Sequence, residues 1–560
     1  MKKIFISILL VSTFVLINFD VIWAGPTLHV FREPDEAWYA IVAKNLETND
    51  CSGIPVTFLY QDRPNFHSCE LLKVITRLTP GKNMITKVTV LKVSTRAITL
   101  MLLALLGFVF FESALLGYLL GLVYFVDDGV AFLKPIFLPL KNLTTGHLDS
   151  FTRASRLISP MQYAPILFAF TFFMVIWLRA IAQSPTLSRR QHLIFATTVI
   201  VFASMIPFTP FYAWICHLYF TGACLFYLTL RFDRKLVLPW IVWSFAFISC
   251  IALSVSKIQI PFRQETLVRS GFFDEQFAPL FIFDKSLLLF LTAFIIVFWK
   301  SIRWWTVAFA LGLFALVNIN VITGREYQNL HFRDYYGILL FLLLVWGAWI
   351  RFANFRLFIL GTLLVSFVAG SIQYLKSQID KPAQIAADLN TPDLPELILF
   401  FQQRGPAKVV CGQFYEILPL VTEISCSWHH LLMTYPLSNQ ELLEFTEAHF
   451  RLQGYSSEQA RSRLFLDALP NRSLGVWSFG VKNEWIEDVS QVDMYGTPNL
   501  LNKIIPLWIE DYKLYDVAKA KKLLSTAQYL ILDNNLTDEM NEAVILVKKF
   551  SVYGVYRWKE

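Results

Sequence analysis

From residue 97 to residue 375, apolar runs alternate with short polar connections. The pattern then changes to the shorter periods of a soluble domain. Runs approaching the ~20 residues needed to cross a bilayer fall near 97–111, 113–126, 163–182, 192–207, 212–230, 236–256, 279–299, 304–322, 335–350 and 357–375. A further run, MKKIFISILLVSTFVLINFDVIWAG, opens the chain. It reads either as a cleaved signal peptide or as a retained first helix. Ile22 and Trp23 precede Ala24 where a signal peptidase prefers small residues, so a retained helix is expected. Together these runs predict about eleven spans.

The run 97–126 measures about 45 Å as one helix, too long for one untilted crossing. Two short helices turning near Glu112 fit the length. They also place the basic clusters Arg189/Arg190, Arg231/Arg234/Lys235, Lys300/Arg303 and Arg351/Arg356 on the inside with Lys2 and Lys3. A single span there would put every later cluster outside, against the positive-inside bias. Four polar stretches are then expected outside: 25–95, 127–162, 257–278 and 323–334, together with residues 376–560. Within the second, GVAFLKPIFLPL is broken by Pro135 and Pro139 and reads as a surface or re-entrant helix.

The domain plan is therefore a transmembrane region over 1–375, with 25–95 as its first extracytoplasmic loop, and a soluble domain over 376–560. In the latter, KVVCG and QYLILD read as short buried strands and SVYGVYRW as a final alternating strand. NQELLEFTEAHFRLQG and SSEQARSRLFLDAL read as amphipathic helices. The expected fold class is mainly α: a polytopic helical bundle carrying a small α/β or α+β domain.

Composition sharpens this picture. The chain is 55% hydrophobic and only 16% charged over 560 residues, against about 25% charged in ordinary soluble domains. That excludes a disordered chain, a basic nucleic-acid-binding tail and a fully soluble enzyme. The net charge of +7 reflects cytoplasmic Lys and Arg, so no nucleic-acid partner is expected. Cys216, Cys224 and Cys250 lie in apolar runs and read as small buried residues. Cys51 with Cys69, and Cys411 with Cys426, lie in regions expected outside, where each pair can form a disulfide.

The densest chemistry follows the first helix, in FREPDEAWYAIVAKNL. Glu33, Asp35 and Glu36 stand beside Arg32, and Pro26 and Pro34 stiffen the approach. The helix beginning at Ala37 carries Trp38 and Tyr39, suited to the headgroup level. Carboxylates this close repel when ionised, so one takes up a proton more readily or all are held by cations. Such a cluster serves as a general base, a metal ligand or both. The plainer alternative is an acidic cap on a surface helix. Asp20, inside the first helix, is costly in lipid and must face the bundle or mark that helix's outer end.

A second feature is positive charge in loops expected outside: Arg153 and Arg156, then Arg263 and Arg269, then Arg325, His331 and Arg333. Short outer loops usually avoid Lys and Arg. Several basic loops facing one acidic loop suggest a phosphate site, since Arg holds phosphate oxygens in a bidentate fork. Tyr327, Gln328, Asn329 and Tyr335 add groups suited to a sugar or phosphate. Local pairs such as Arg325 with Glu326, or Arg333 with Asp334, remain the alternative.

On this layout, with Glu33-Pro34-Asp35-Glu36 just after the first helix, the chain resembles the GT-C membrane glycosyltransferases, especially the bacterial aminoarabinose transferase and protein O-mannosyltransferase types. The resemblance covers the arrangement of residues 1–375. It implies transfer of a sugar from a polyprenyl-phosphate donor to a lipid, glycan or protein acceptor on the outer face of a bacterial inner membrane. It implies Asp35 as the catalytic carboxylate, with Glu33 and Glu36 beside it. Arg32, Tyr39, Arg153, Arg156, Arg269, Arg325, Gln328, Asn329, His331 and Arg333 form the expected substrate and phosphate set. No metal ligand is assigned, and the resemblance leaves a divalent cation (Mg or Mn) open, since many family members need none and others use one. A transporter or flippase, a glycan ligase or polymerase, and an inactive assembly partner remain competing readings.

Overall fold

The computed structural model describes residues 2–25, 27–30, 37, 40–45, 59, 70–111, 113–125, 164–183, 187–209, 211–232, 236–256, 272–273, 307–308, 311–312, 315, 326–327, 345, 347–380, 391–411, 414, 417–427, 437–468, 485 and 498–560. Among them the fold is mainly helical, with a small sheet near the carboxyl end.

The amino-terminal apolar run forms α1 (Lys2–Ile17) and α2 (Phe19–Ala24). They are separated at Asn18, whose backbone N–H and side-chain amide both donate to Phe14 O, at 3.3 and 3.0 Å. A side chain competing for an i−4 carbonyl distorts a helix at that point. After α3 (Glu70–Leu78) comes α4 (Met84–Phe111), then α5 (Ala114–Phe125). The chain thus turns between 111 and 114, where the length of the apolar run demanded it. Close approach of the two helices requires glycine. A methyl group at Gly117 would lie 2.8 Å from Gly107 Cα and 2.5 Å from Ala104 O.

The start of α4 corrects the sequence reading. The helix was expected from 97, because residues 25–95 hold too many charges to span. It begins thirteen residues earlier, at Met84. Its first half buries Met84, Val88 and Leu91 in one apolar core, and its second half buries Leu100, Leu102 and Leu103 in another. The helix is a post about 42 Å long that joins two cores.

The bundle continues with α6 (Ala164–Gln183), α7 (Arg189–Ala203), α8 (Phe211–Phe232), α9 (Val237–Ser256) and, later, α10 (Arg356–Asp380). Ser188 and Gln191 close a capping box on α7, which explains a sharp start just after a polar connection. Trp177 on α6 donates to His192 Nδ1 on α7 at 3.1 Å, and Trp240 on α9 donates to Thr229 Oγ1 on α8 at 2.7 Å. Arg179, near the end of α6, donates to Val109 O near the end of α4 and to Gln183 Oε1. Thr171 and His217 hydrogen-bond between α6 and α8, and Cys224 and Cys250 are buried free thiols as expected. Among the described residues, three helical segments, Met84–Val109, Arg189–Phe208 and Ala353–Ile372, are long and apolar enough to cross a membrane. The expected span 279–299, most of 304–322 and 335–350, and GVAFLKPIFLPL lie outside the described residues.

The carboxyl-terminal domain is built on a five-stranded sheet. Its strands are β3 (Ala407–Cys411), β4 (Ile424–Cys426), β5 (Tyr529–Asp533), β6 (Val544–Lys549) and β7 (Tyr553–Trp558). The order is β4-β3-β5-β7-β6: β4, β3 and β5 run parallel, and β7 is antiparallel to both β5 and β6. The expected strands at KVVCG and QYLILD are present. The final strand is present too, but it does not alternate, because Tyr553 to Tyr556 are all buried. It is an interior strand between β5 and β6. Strand β5 beside it is covered on one face by α11 (Leu394–Arg404) through Phe400 and Phe401 against Tyr529. Trp558 of β7 reaches Leu524 O at the end of a short helix over Val517–Leu523. A strand covered on both faces loses the two-residue period. Strands β4 and β6 were not expected from sequence.

The two expected amphipathic helices are α13 (Asn439–Leu452) and α14 (Ser457–Ala468), with α12 (Leu418–Val421) before them and α15 (Pro498–Lys513) after. Phe450, Trp508 and Tyr512 centre the small core that α13, α14 and α15 share. The main core of the domain is not its own. Val30, Ala37, Ala40, Ile41 and Ala43 of the first loop are buried in the same cluster as Leu397, Phe401, Val409, Leu418, Leu530 and Val555.

Candidate functional site

All thirteen residues expected to carry the chemistry lie outside the described residues: Arg32, Glu33, Asp35, Glu36, Tyr39, Arg153, Arg156, Arg269, Arg325, Gln328, Asn329, His331 and Arg333. Cys51 and Cys69 lie outside them as well. What the structure describes is the frame on either side of these segments.

The acidic segment runs between two fixed points. On its amino-terminal side a single 3₁₀ turn, Leu28–Val30, ends in a valine only 1% exposed. The Val30 carbonyl accepts Lys92 Nζ at 2.6 Å, and Lys92 is itself buried on α4. On its carboxyl side Ala37 is fully buried, and residues 40–45 are helical. Ala37, Ala40 and Ala43 recur every third residue and are all buried. Small side chains at that spacing let a helix lie close against its neighbour.

Below the first of these anchors, Arg96 reaches back from α4 to α2. It grips Asp20 through both η nitrogens and also donates to Ile17 O at 3.0 Å. Asp20 thus faces inward and is paired, which resolves the cost of a carboxylate in an apolar helix. On the other side, Lys44 donates to Pro419 O at 2.7 Å, Leu420 O at 3.3 Å and Thr422 O at 2.5 Å in the carboxyl-terminal domain.

Two of the basic loops are joined by backbone. Strand β1 (Phe272–Phe273) pairs antiparallel with β2 (Glu326–Tyr327), Phe272 opposite Tyr327 and Phe273 opposite Glu326. In sequence, Arg269 stands three residues before Phe272, Arg325 directly precedes Glu326, and Gln328 directly follows Tyr327.

Sequence reasoning missed Lys44, Lys92 and Arg96. Lys92 and Arg96 carried a signal: they are four residues apart, hence on one face of a helix, and the buried Asp20 required a cation. Lys44 carried none, because its acceptors lie 375 to 378 residues away. Among the described residues, no group of three His, Cys, Asp or Glu side chains is arranged to hold a metal ion. Glu33, Asp35 and Glu36 are not in that set.

No family model matches the chain, and no curated protein matches it.

Proposed function

We propose that this chain is a membrane glycosyltransferase that moves a sugar from a polyprenyl-phosphate donor to a lipid, glycan or protein acceptor on the extracytoplasmic face. The observation that carries the reading is the β1–β2 pairing. It joins Phe272–Phe273, which follow Arg269 in sequence, to Glu326–Tyr327, which follow Arg325, and so supports the reading that the two basic loops act together. The anchoring of Val30 and Ala37 supports it from the other side, since a general base must be held in place to within a fraction of an ångström to be effective.

In this reading the acceptor hydroxyl oxygen attacks the anomeric carbon. The bond from that carbon to the phosphate oxygen breaks, and the polyprenyl phosphate leaves with the electron pair. Asp35 takes the hydroxyl proton. Glu33 and Glu36 tune its charge. Arg153, Arg156, Arg269, Arg325 and His331 supply positive charge to the phosphate as it departs. Arg32, Tyr39, Gln328, Asn329 and Arg333 bind and orient the donor and acceptor. The apolar helices explain why a lipid-linked donor suits the protein: its prenyl chain remains in hydrocarbon while the phosphate reaches the surface.

The test uses the full chain in proteoliposomes with a short polyprenyl phosphate carrying a labelled pentose or hexose, and envelope extract as acceptor. Release of polyprenyl phosphate is measured for wild type and Asp35→Asn. A loss of at least about 100-fold is expected, the lower end of what a general base contributes. An Asp35→Asn protein that turns over like wild type sinks the assignment. Label that crosses the bilayer with its sugar–phosphate bond intact identifies a transporter instead. Repeating the assay with EDTA, Mg or Mn decides whether the carboxylates hold a cation.

A further inference from the structure

The carbonyls of the α12 turn have a complete set of donors. Leu418 O accepts from the backbone and the hydroxyl of Thr422, at 3.0 and 2.6 Å. Val421 O accepts Gln402 Nε2 at 3.1 Å. The other three, Pro419 O, Leu420 O and Thr422 O, accept the single ammonium of Lys44. A helix of four residues leaves most of its carbonyls without internal partners, and partly buried carbonyls must find donors. Here most of that demand is met from outside the domain, by a side chain of the first loop. Lys44 has three N–H donors and uses them as a tripod.

The turn that receives Lys44 is itself closed. Cys411, the last residue of β3, is disulfide-bonded to Cys426, the last residue of β4. The cross-link encloses α12 and all three acceptors. Apolar burial acts at the same place: Ala37, Ala40, Ile41 and Ala43 share one core with Ile417, Leu418 and Leu420. Lys44 stands four residues beyond Ala40, so both lie on one side of the helix.

We propose that the carboxyl-terminal domain is a clamp for the acidic segment: Lys44 is a positioning residue, and the disulfide-closed loop 411–426 is its receptor. The clamp acts on Ala37 and the helical residues 40–45, which follow Asp35 and Glu36 in sequence, and so limits how far those carboxylates can move. Its catalytic consequence rests on the glycosyltransferase reading; its mechanical part does not.

The experiment is amide hydrogen exchange on the full chain in nanodiscs, read by mass spectrometry, alongside the transfer assay. Lys44→Met keeps the stem and removes the donors. Exchange in residues 37–45 is expected to rise at least tenfold, while β5 and β7 keep their protection. Lys44→Arg, which restores donors, is expected to return exchange to within threefold of wild type. In the transfer assay Lys44→Met should lower kcat and leave the KM for the donor unchanged. A double Cys411→Ala/Cys426→Ala variant provides the second route, because loosening the receptor should raise exchange in 37–45 without any change in Lys44. An unchanged 37–45 in both variants, or a change shared equally by β5 and β7, overturns the clamp. If 37–45 loosens but wild type transfers no sugar, the clamp stands and the glycosyltransferase reading falls. If wild type transfers sugar and Lys44→Met matches it in both exchange and turnover, the clamp falls alone.

Discussion

Arg96 donates one η nitrogen to each carboxylate oxygen of Asp20, at 2.5 and 2.8 Å, with only 4% of the Asp20 side chain exposed. The fork ties the second helix of the amino-terminal pair to the middle of α4, where that helix passes from one core to the other. Breaking a buried pair leaves an uncompensated charge and costs about 3–5 kcal/mol, whereas replacing both partners with apolar residues is far less damaging. Arg96→Met should therefore lower the melting temperature in detergent sharply. Asp20→Leu combined with Arg96→Met should recover most of the loss. Coincident melts for the single and double variants would rule out a stranded carboxylate as the cause.

The α4–α5 turn offers a test of packing. At Gly117 an added side chain meets backbone atoms of α4, which cannot rotate away. Gly117→Val should destabilise by about 1–3 kcal/mol or more, seen as a lower melting temperature. Gly361 on α10 has nothing within 4 Å of an added Cβ. Gly361→Ala should stabilise its helix by roughly 0.5–1 kcal/mol. Equal shifts for the two would contradict the close approach at Gly107 and Gly117.

Asp393 supplies a pH signature. Hydrogen bonds from the Ser551 side chain and from its backbone N–H, the latter at 2.5 Å, hold the carboxylate's pKa below the usual value. A group with a depressed native pKa contributes stability above its unfolded pKa, about 3.9, and loses that contribution as pH falls through the native value. Asp393 also adopts φ 67°, which Asn tolerates better than most residues. The melting-temperature gap between wild type and Asp393→Asn should be wider near pH 6 than at about pH 3, which is already below the unfolded pKa. Because the carboxylate is exposed, the gap should be small. A gap of the same size at both pH values would show that the Ser551 bond does not favour the charged form.

The thiols give a direct chemical check. Peptide mapping without reductant should recover Cys411 linked to Cys426. Cys224 and Cys250 should take up an alkylating reagent only after denaturation, because both are buried free thiols. Rapid labelling of Cys224 in the folded protein would contradict the packing of its Sγ against Ala308 O.

Local patterns along the chain were enough for several elements. The break between α4 and α5 was legible because 97–126 was too long for one crossing. β3, β5, α13 and α14 were legible from runs of apolar residues and from helical spacing. β4 was not, because three residues carry no period. β6 was not, because it is an edge strand that leaves Ile545 and Leu546 exposed instead of alternating. The start of α4 was not legible for a physical reason: a stretch rich in charge reads as too polar to span, whereas Lys92 and Arg96 are taken up by partners, Val30 O and Asp20.

Of the candidate site, the acidic motif and the basic loops come from residue type and spacing alone, since like charges crowded at a helix start announce themselves without any fold. Their framing does not. Lys44 meets Thr422 across 378 residues, and Phe272 meets Tyr327 across 55. No local propensity encodes such pairs, because they are chosen by which buried carbonyls need a donor and which apolar faces need a cover once the chain has collapsed. Tertiary packing alone made one core out of the first loop and the carboxyl-terminal domain.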